Sequence, residues 1–443
     1  MHLTKELFVI PYEENFILYA PLKGAVAEVN GETIRLLNRL RQGENVGELE
    51  KRLSQLKKVG IITDGETPVE SYVPKTDFSP TSVTLIPGLS CNFKCVYCYS
   101  SAGENDGKTM DFGVAKSAID FIMKNTRDTE IKPELVFHGG GEPFLNQNMI
   151  LVRRTVEYFK RQTELHGLTP KIAGTTNGFM SRETLEWIVS NFDSLTISLD
   201  GPEDIQNKQR PTINGGKSFH RVMETVNHLE STHFKYGLRA SITKNSVSKI
   251  PEIVEFFCSI SSAESFALEP IFECGRCATT NEKTPDSKDY INYLIKSREI
   301  AKKTDRVIHY SGSIIEGIYD CFCSSLDTGF FCVLPDGDVT SCLEVCRESD
   351  PRRDVFITGK YDFDSKEFVF YMDRIQKLRS RNIDNIDYCK DCYAKYNCAG
   401  DCPSKCLSQS GSLFDPSFNT DRCEMTRKII KEVLVGKLKG DNK

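Results

Sequence analysis

Cys91, Cys95 and Cys98 stand in the string CNFKCVYCY, a C-x3-C-x2-C pattern that follows the apolar stretch Val83–Pro87 and the turn Gly88-Leu89-Ser90. Three thiolates on one short loop can hold three irons of a cubane cluster. Closed cluster sites use four cysteines. A triad leaves one iron open to an outside ligand, by the same logic as the open position of a catalytic zinc site. The competing reading is a zinc site whose fourth ligand comes from elsewhere. The chain holds 17 cysteines, none before Cys91, and eleven lie from Cys321 to Cys423. Such clustering points to sites rather than scattered core thiols. A secreted disulfide scaffold goes with a signal peptide and a short chain. Here the first residues, MHLTKELFVIPYEENF, carry acids inside their apolar stretch, unlike a signal.

Further polar groups recur after apolar runs. His138-Gly-Gly-Gly-Glu-Pro143 contains Gly140, Gly141 and Glu142, and glycines let backbone approach a ligand closely. Thr176-Asn177-Gly178 and Ser198-Leu-Asp200-Gly-Pro202 place short polar side chains where they can bond hydroxyl groups. Arg210 offers a fork-shaped donor for a carboxylate, and Arg239 is a weaker candidate.

The elements that must position these residues alternate over 81–310. Strands are expected at Val83–Pro87, Glu134–His138, Lys171–Thr175, Ser194–Leu199, Gly237–Thr243 and Ser265–Pro270. Helices are expected at Phe112–Asn125, Met149–His166, Arg182–Asn191, Phe219–Ser231 and Ile250–Cys258. Six strands alternating with helices argue for an α/β fold with a parallel sheet, open or closed into a partial barrel. In such folds the site lies at the C-terminal strand ends, where all the motifs above fall.

Residues 1–75 read as a separate winged-helix-like module. It has short strands at Phe8–Pro11, Asn15–Leu22 and Ala25–Val29, then amphipathic helices at Thr33–Leu40 and Val46–Val59. Asp64–Pro80 reads as a linker. From Ile318 onward helical periodicity weakens and Cys, Gly, Asp and Pro become frequent, as in a domain whose core is partly replaced by metal sites. The domain limits are therefore 1–75, 81–310 and 318–443. With 57 Lys and Arg against 62 Asp and Glu, the net charge of −5 gives no support to a nucleic-acid partner. No apolar run approaches the ~18 residues of a membrane span. The expected location is the cytoplasm.

The ordered set of motifs over 81–310 resembles the radical S-adenosylmethionine (SAM) superfamily, whose C-x3-C-x2-C has an aromatic before its last Cys, here Tyr97. The resemblance implies a [4Fe-4S] cluster on Cys91, Cys95 and Cys98 and SAM on its open iron. An electron from the cluster then splits the sulfonium into methionine and a 5′-deoxyadenosyl radical. It also implies cofactor contacts from Gly140, Gly141, Glu142, Asn177, Ser198, Asp200 and Arg210, with Glu142 or a glycine carbonyl accepting from the methionine ammonium.

Cys323-x13-Gly337-x4-Cys342, then Cys389-x2-Cys392-x5-Cys398-x3-Cys402 and later Cys423, resembles the SPASM extension of protein- and peptide-modifying members. That likeness implies two auxiliary [4Fe-4S] clusters, hence three in all. One set would be Cys323, Cys342, Cys402 and Cys423. The other would be Cys389, Cys392, Cys398 and a residue between Cys323 and Cys342, here Cys332, with Cys321 or Cys346 able to substitute or one iron left open. Structural zinc is the competing reading. Cys274 and Cys277 form a C-x2-C that is redox-active or, more often, a pair of buried small hydrophobes. Glu269 and Glu273, near the same barrel mouth, are candidates for a catalytic base.

The segment PLKGAVAEVNGETIRLLNRL resembles the PqqD-like recognition element of peptide maturases. An exposed strand edge there can accept a leader peptide as an added strand. Together the resemblances imply a radical SAM oxidoreductase that modifies a ribosomally synthesised precursor peptide by thioether or carbon–carbon crosslinking. Its reducing donor would be a flavodoxin or ferredoxin. The alternative is an anaerobic sulfatase-maturating, formylglycine-generating enzyme. A third reading is a zinc-stabilised peptide-binding scaffold without catalysis.

Overall fold

The computed structural model describes residues 1–44, 50–65, 72–103, 108–127, 129–314 and 317–440. The chain divides into two compact units. The smaller holds Met1–Val73, Gly312–Phe322 and Arg381–Lys443; the larger holds Pro74–Ser311 and Cys323–Ser380. The cysteine-rich third of the sequence is thus shared between them.

In the smaller unit the strands are β1 (His2–Leu3), β2 (Phe8–Tyr12), β3 (Asn15–Ala20), β4 (Ala25–Val29) and β5 (Ile62–Thr63). β2, β3 and β4 form an antiparallel meander, and β1 pairs with β5. Helices follow at Gly31–Arg41 and Glu50–Lys58; residues 45–49 of the expected second helix lie outside the described residues. The Asn30 side chain caps the first helix by accepting from Thr33 N at 3.0 Å.

Both faces of β3 are buried, so its sequence NFILYA does not alternate. Leu18 and Ala20 pack with Leu37, Leu53, Leu56 and Ile61. Ile17 and Tyr19, with Ile10, pack instead against Ala394, Ile430 and Leu434. The last two lie on a helix, Thr420–Leu438, that weak periodicity did not reveal. The Tyr19 hydroxyl donates to Asn397 Oδ1 at 3.3 Å, and buried Lys395 pairs with Glu6 at 2.6 Å. The meander and the cysteine loop 389–402 therefore share one core.

The larger unit contains β6 (Ser82–Leu85), β7 (Glu134–Phe137), β8 (Lys171–Thr176), β9 (Ser194–Ser198), β10 (Tyr236–Ile242), β11 (Ser265–Pro270), β12 (Val307–His309), β13 (Cys332–Val333), β14 (Asp338–Thr340), β15 (Ile357–Asp362) and β16 (Glu367–Phe370). All lie in one sheet, and β6 to β12 run parallel in sequence order. Every expected strand and helix of 81–310 is present within a few residues. A seventh parallel strand, β12, adds to the six expected. β13 joins the other edge of β6 in parallel, and β14 to β16 continue as an antiparallel extension.

Side chains of β7 to β11 alternate strictly. Leu135, Phe137, Ile172, Leu195, Ile197, Leu238, Phe266 and Leu268 are buried, facing the helical layer. The other face carries His138, Thr175, Ser198, Arg239, Glu269 and, on β12, His309, all partly or largely exposed. Parallel strands covered on both sides read as continuous apolar runs. Here the second face is a polar inner wall, which leaves room for ligands at the strand ends.

We expect Ile17→Ala to cost about 2–5 kcal/mol, as for other fully buried large-to-small changes, and to loosen the 389–402 loop along with the meander. Urea unfolding followed separately by Tyr fluorescence and by thiol labelling of Cys389 tests this. Thiol labelling unchanged while the meander weakens would refute the shared core.

Candidate active site

The Cys91 loop leaves the C-terminal end of β6 and is held along two sides. Lys94 N donates to Pro211 O at 2.8 Å, Val96 N to Gln209 O at 2.9 Å and Ile213 N to Asn92 O at 2.9 Å. Opposite, Glu142 N donates to Ser90 O at 2.8 Å. A side chain at Gly141 would place its Cβ 2.1 Å from Ser90 O, so this approach requires glycine. Tyr99 donates to Gly139 O at 2.6 Å, and the Ser100 hydroxyl donates to Gly140 O.

Within the loop, Phe93 N points at Cys91 Sγ (3.4 Å), Ala102 N at Cys98 Sγ (3.4 Å) and Asn177 Nδ2 at Cys91 Sγ (3.7 Å). N–H donors aimed at sulfur stabilise thiolate and tune iron–sulfur clusters. Burial pushes the Cys95 thiol up to about 11, with Cys98 adding to the rise while the Arg210 and Arg276 guanidinium groups oppose it. Burial likewise raises Cys91 strongly, and Cys95, Glu142 and Cys98 push it further. The three thiols thus lie close enough to repel one another as anions. Three cysteine sulfurs on one loop, two of them facing N–H donors, form a donor set of the kind that holds an iron–sulfur cluster.

Glu142 is buried and already satisfied. It accepts from the Thr176 hydroxyl (2.7 Å), Asn177 N (2.7 Å) and Phe144 N (3.2 Å). The carboxylate thereby joins the loops after β7 and β8. Burial lifts its pKa to about 7 against these three donors. Asn177 also bonds Asn92 Oδ1 at 2.7 Å, tying the same region to the cysteine loop.

Asp200 is fully buried at the end of β9. Its carboxylate accepts from Tyr97 OH (2.5 Å), Gln209 Nε2 (2.7 Å) and Ser241 N (3.1 Å). Arg210 Nη1 donates to Tyr97 OH at 2.8 Å and stands 3.9 Å from Asp200. Its Nε is buried without a hydrogen-bond partner. A buried guanidinium with an unanswered donor beside the thiol loop suits a ligand carboxylate. Ser198 lies on the inner wall, in register with Arg239. Glu269 is on that wall too, accepting from Ser311 N and Oγ, both at 2.8 Å. Glu273 is exposed and ion-paired with Lys283 at 2.8 Å, which holds its carboxyl below the usual range.

Among the C-terminal cysteines, Cys389, Cys392, Cys398 and Cys423 all lie in the smaller unit. Burial raises the Cys389 and Cys398 thiols, and Cys392 and Cys423 push both further. Cys332 lies on β13 in the larger unit, fully buried among Ile86, Leu334 and Ile357, and burial raises its thiol, with Cys346 adding to the rise. Cys323 and Cys342 lie in the larger unit and Cys402 in the smaller. The Cys398–Cys402 loop carries Ala399, Gly400 and Asp401 in left-handed conformation. Arg381, fully buried, restrains it through Gly400 O and Asp401 O at 2.5 and 2.9 Å, and Arg422 pairs with Asp401 at 2.8 Å. Sequence reasoning missed Gln209, Arg276 and Arg381, none of which stands in a motif of its own.

Residues 85–257 match the Radical SAM superfamily model, so the chain carries a radical SAM domain, the type that uses SAM and a [4Fe-4S] cluster. Among curated relatives, an uncharacterised protein of Methanocaldococcus jannaschii is 30% identical over 38% of this chain and 54% of its own. The cysteine-type anaerobic sulfatase-maturating enzyme of Clostridium novyi is 26% identical over 40% of this chain and 47% of its own. The chain thus spans about half the length of these two relatives. Among solved structures, anSMEcpe with bound AdoMet superposes with a TM-score of 0.61 at 17% identity, covering 81% of this chain and 99% of that one. Streptococcus suis SuiB bound to precursor peptide SuiA gives 0.55 at 14% identity, covering 93% and 97%. The fold is therefore that of these proteins. No helix among the described residues is long and apolar enough to cross a membrane.

Because the folded state keeps a proton on Glu142 up to about pH 7, against an ordinary value of 4.5, its contribution to stability is present at low pH and lost as pH rises through about 7. Glu142→Gln sets an N–H2 against one of three donors, an expected loss of about 1–3 kcal/mol, and removes this pH dependence. Urea midpoints of the metal-free protein at several pH values should show a steeper decline for the wild type. Parallel profiles would contradict the assignment.

Proposed function

We propose that the chain is a radical SAM enzyme that modifies a ribosomally synthesised precursor peptide, by thioether or carbon–carbon crosslinking. The observation that carries the reading is the triad of Cys91, Cys95 and Cys98, the middle one buried, with N–H donors aimed at its sulfurs and the unanswered Arg210 donor beside it. When bound, the cluster supplies one electron and SAM the 5′-deoxyadenosyl radical that takes hydrogen from the substrate. Arg210 holds the SAM carboxylate. Tyr97 and Asp200 fix the guanidinium. Gly141 lets the strand-end loop close on the cysteine loop, and the polar inner wall receives the substrate side chain.

Support for a peptide substrate comes from the N-terminal meander, whose edge strands are β2 and β4, and from the fold shared with SuiB, whose structure contains a precursor peptide. Residues 1–75 act as a PqqD-like recognition element, binding the leader along such an edge. The electron donor is a flavodoxin or ferredoxin. Cys389, Cys392, Cys398 and Cys423 hold one auxiliary cluster. Cys323, Cys342 and Cys402 keep the ligand role that their spacing suggests for a second. The sulfatase-maturating relatives favour the alternative, oxidation of a Cys or Ser in a sulfatase to formylglycine, to an equal degree.

Anaerobic reconstitution should give on the order of twelve irons per chain for three cubanes. Replacing Cys91, Cys95 and Cys98 together by Ala should abolish deoxyadenosine formation and remove about a third of the iron. Unchanged deoxyadenosine would reject the triad. Coexpression with short peptides encoded nearby, or with a sulfatase, followed by mass spectrometry, distinguishes crosslinking from formylglycine.

A further inference from the structure

The C-x2-C after β11 attracts notice for its cysteines, yet the residues between them make the closer contacts. Arg276 is 3% exposed. Its Nη1 donates to Cys95 O at 2.7 Å, its Nη2 to Ala102 O at 2.5 Å, and its own backbone N to Cys98 O at 2.9 Å. One residue thus binds three carbonyls of the loop that carries the triad, bracketing Cys95 and Cys98. Gly275, at φ +54°, brings the backbone in so closely that a Cβ there would lie 2.3 Å from Tyr99 O and 2.4 Å from Cys98 O. Cys277, by contrast, is a buried thiol raised by burial, 4.0 Å from Phe272 O.

We infer that Arg276 is a positioning residue for the cluster of the Cys91 loop: its fork fixes the spacing of Cys95 and Cys98, and its charge makes that cluster easier to reduce. The inference rests on the cluster reading above. Reduction adds one electron from a low-potential one-electron donor and takes the cluster from 2+ to 1+, so negative charge grows beside Cys95. A buried cation there stabilises the reduced form and raises the midpoint potential. Arg is suited to this because its planar fork reaches two carbonyls at once; Lys keeps the charge and loses the fork.

The test uses the full chain, reconstituted anaerobically with iron and sulfide, as wild type, Arg276→Met and Arg276→Lys. The cluster is titrated with dithionite under mediators and followed by electron paramagnetic resonance, with and without SAM. The signal absent from the Cys91, Cys95, Cys98 triple-Ala variant identifies it. Arg276→Met should shift the midpoint to more negative potential and lower the iron retained at the triad. Arg276→Lys should keep a potential nearer the wild type while broadening the resonance through a less uniform loop. If both variants retain the iron, the wild-type potential and the wild-type line shape, the proposal is overturned and Arg276 serves the fold alone. Should Arg276→Met lose its circular-dichroism signature, the Lys variant decides, since an unaltered line shape without the fork is incompatible with the inference. A wild type that lacks the triad-dependent signal instead removes the cluster reading itself.

Discussion

Three thiolates confined to one largely buried loop repel each other and lose hydration, and the larger unit is organised around that cost. Burial alone drives Cys91 and Cys95 toward the protonated thiol. Opposing it are N–H groups directed at sulfur and the guanidinium groups of Arg210 and Arg276. The loop cannot relax outward, since Gln209–Ile213, Gly141 and Arg276 each hold a different stretch of its backbone. A similar device recurs in the smaller unit, where the buried fork of Arg381 grips two carbonyls of the left-handed Ala399–Asp401 turn between Cys398 and Cys402. Left-handed residues other than glycine are costly, and Arg381 on the main-chain carbonyls helps to hold this turn in place.

The smaller unit joins the two ends of the chain. Residues 1–73 do not stand as an appendage, because β3 has one face against the module's own helices and the other against the helix Thr420–Leu438. Lys395 and Asn397, between Cys392 and Cys398, bond directly to Glu6 and Tyr19. A peptide that altered the meander would therefore press on the loop bearing those cysteines. The meander and the loop carrying Cys389, Cys392 and Cys398 thus belong to one body.

Much of the larger unit was legible because its strands alternate apolar and polar residues while its helices carry broad apolar faces. β12 escaped notice: only Ile308 of its three residues is buried. The helix Thr420–Leu438 was hidden by the expectation that metal sites replace a core from Ile318 onward. In the site, the triad and the Gly141, Asn177, Asp200 and Arg210 motifs could be read from spacing. Spacing could not show that Cys332 sits on an interior strand. It could not show that the Glu142 carboxylate accepts from three donors, because these come from two separate segments.

The account stands on a coordinatively open iron at the Cys91 loop. Electron–nuclear double resonance on the anaerobically reconstituted, dithionite-reduced protein, with SAM isotopically labelled in its amino and carboxylate groups, probes that position directly. Hyperfine coupling between the labelled nuclei and the cluster, absent when Cys91, Cys95 and Cys98 are replaced, is the predicted result. A reduced cluster that shows no coupling to either label would contradict the account.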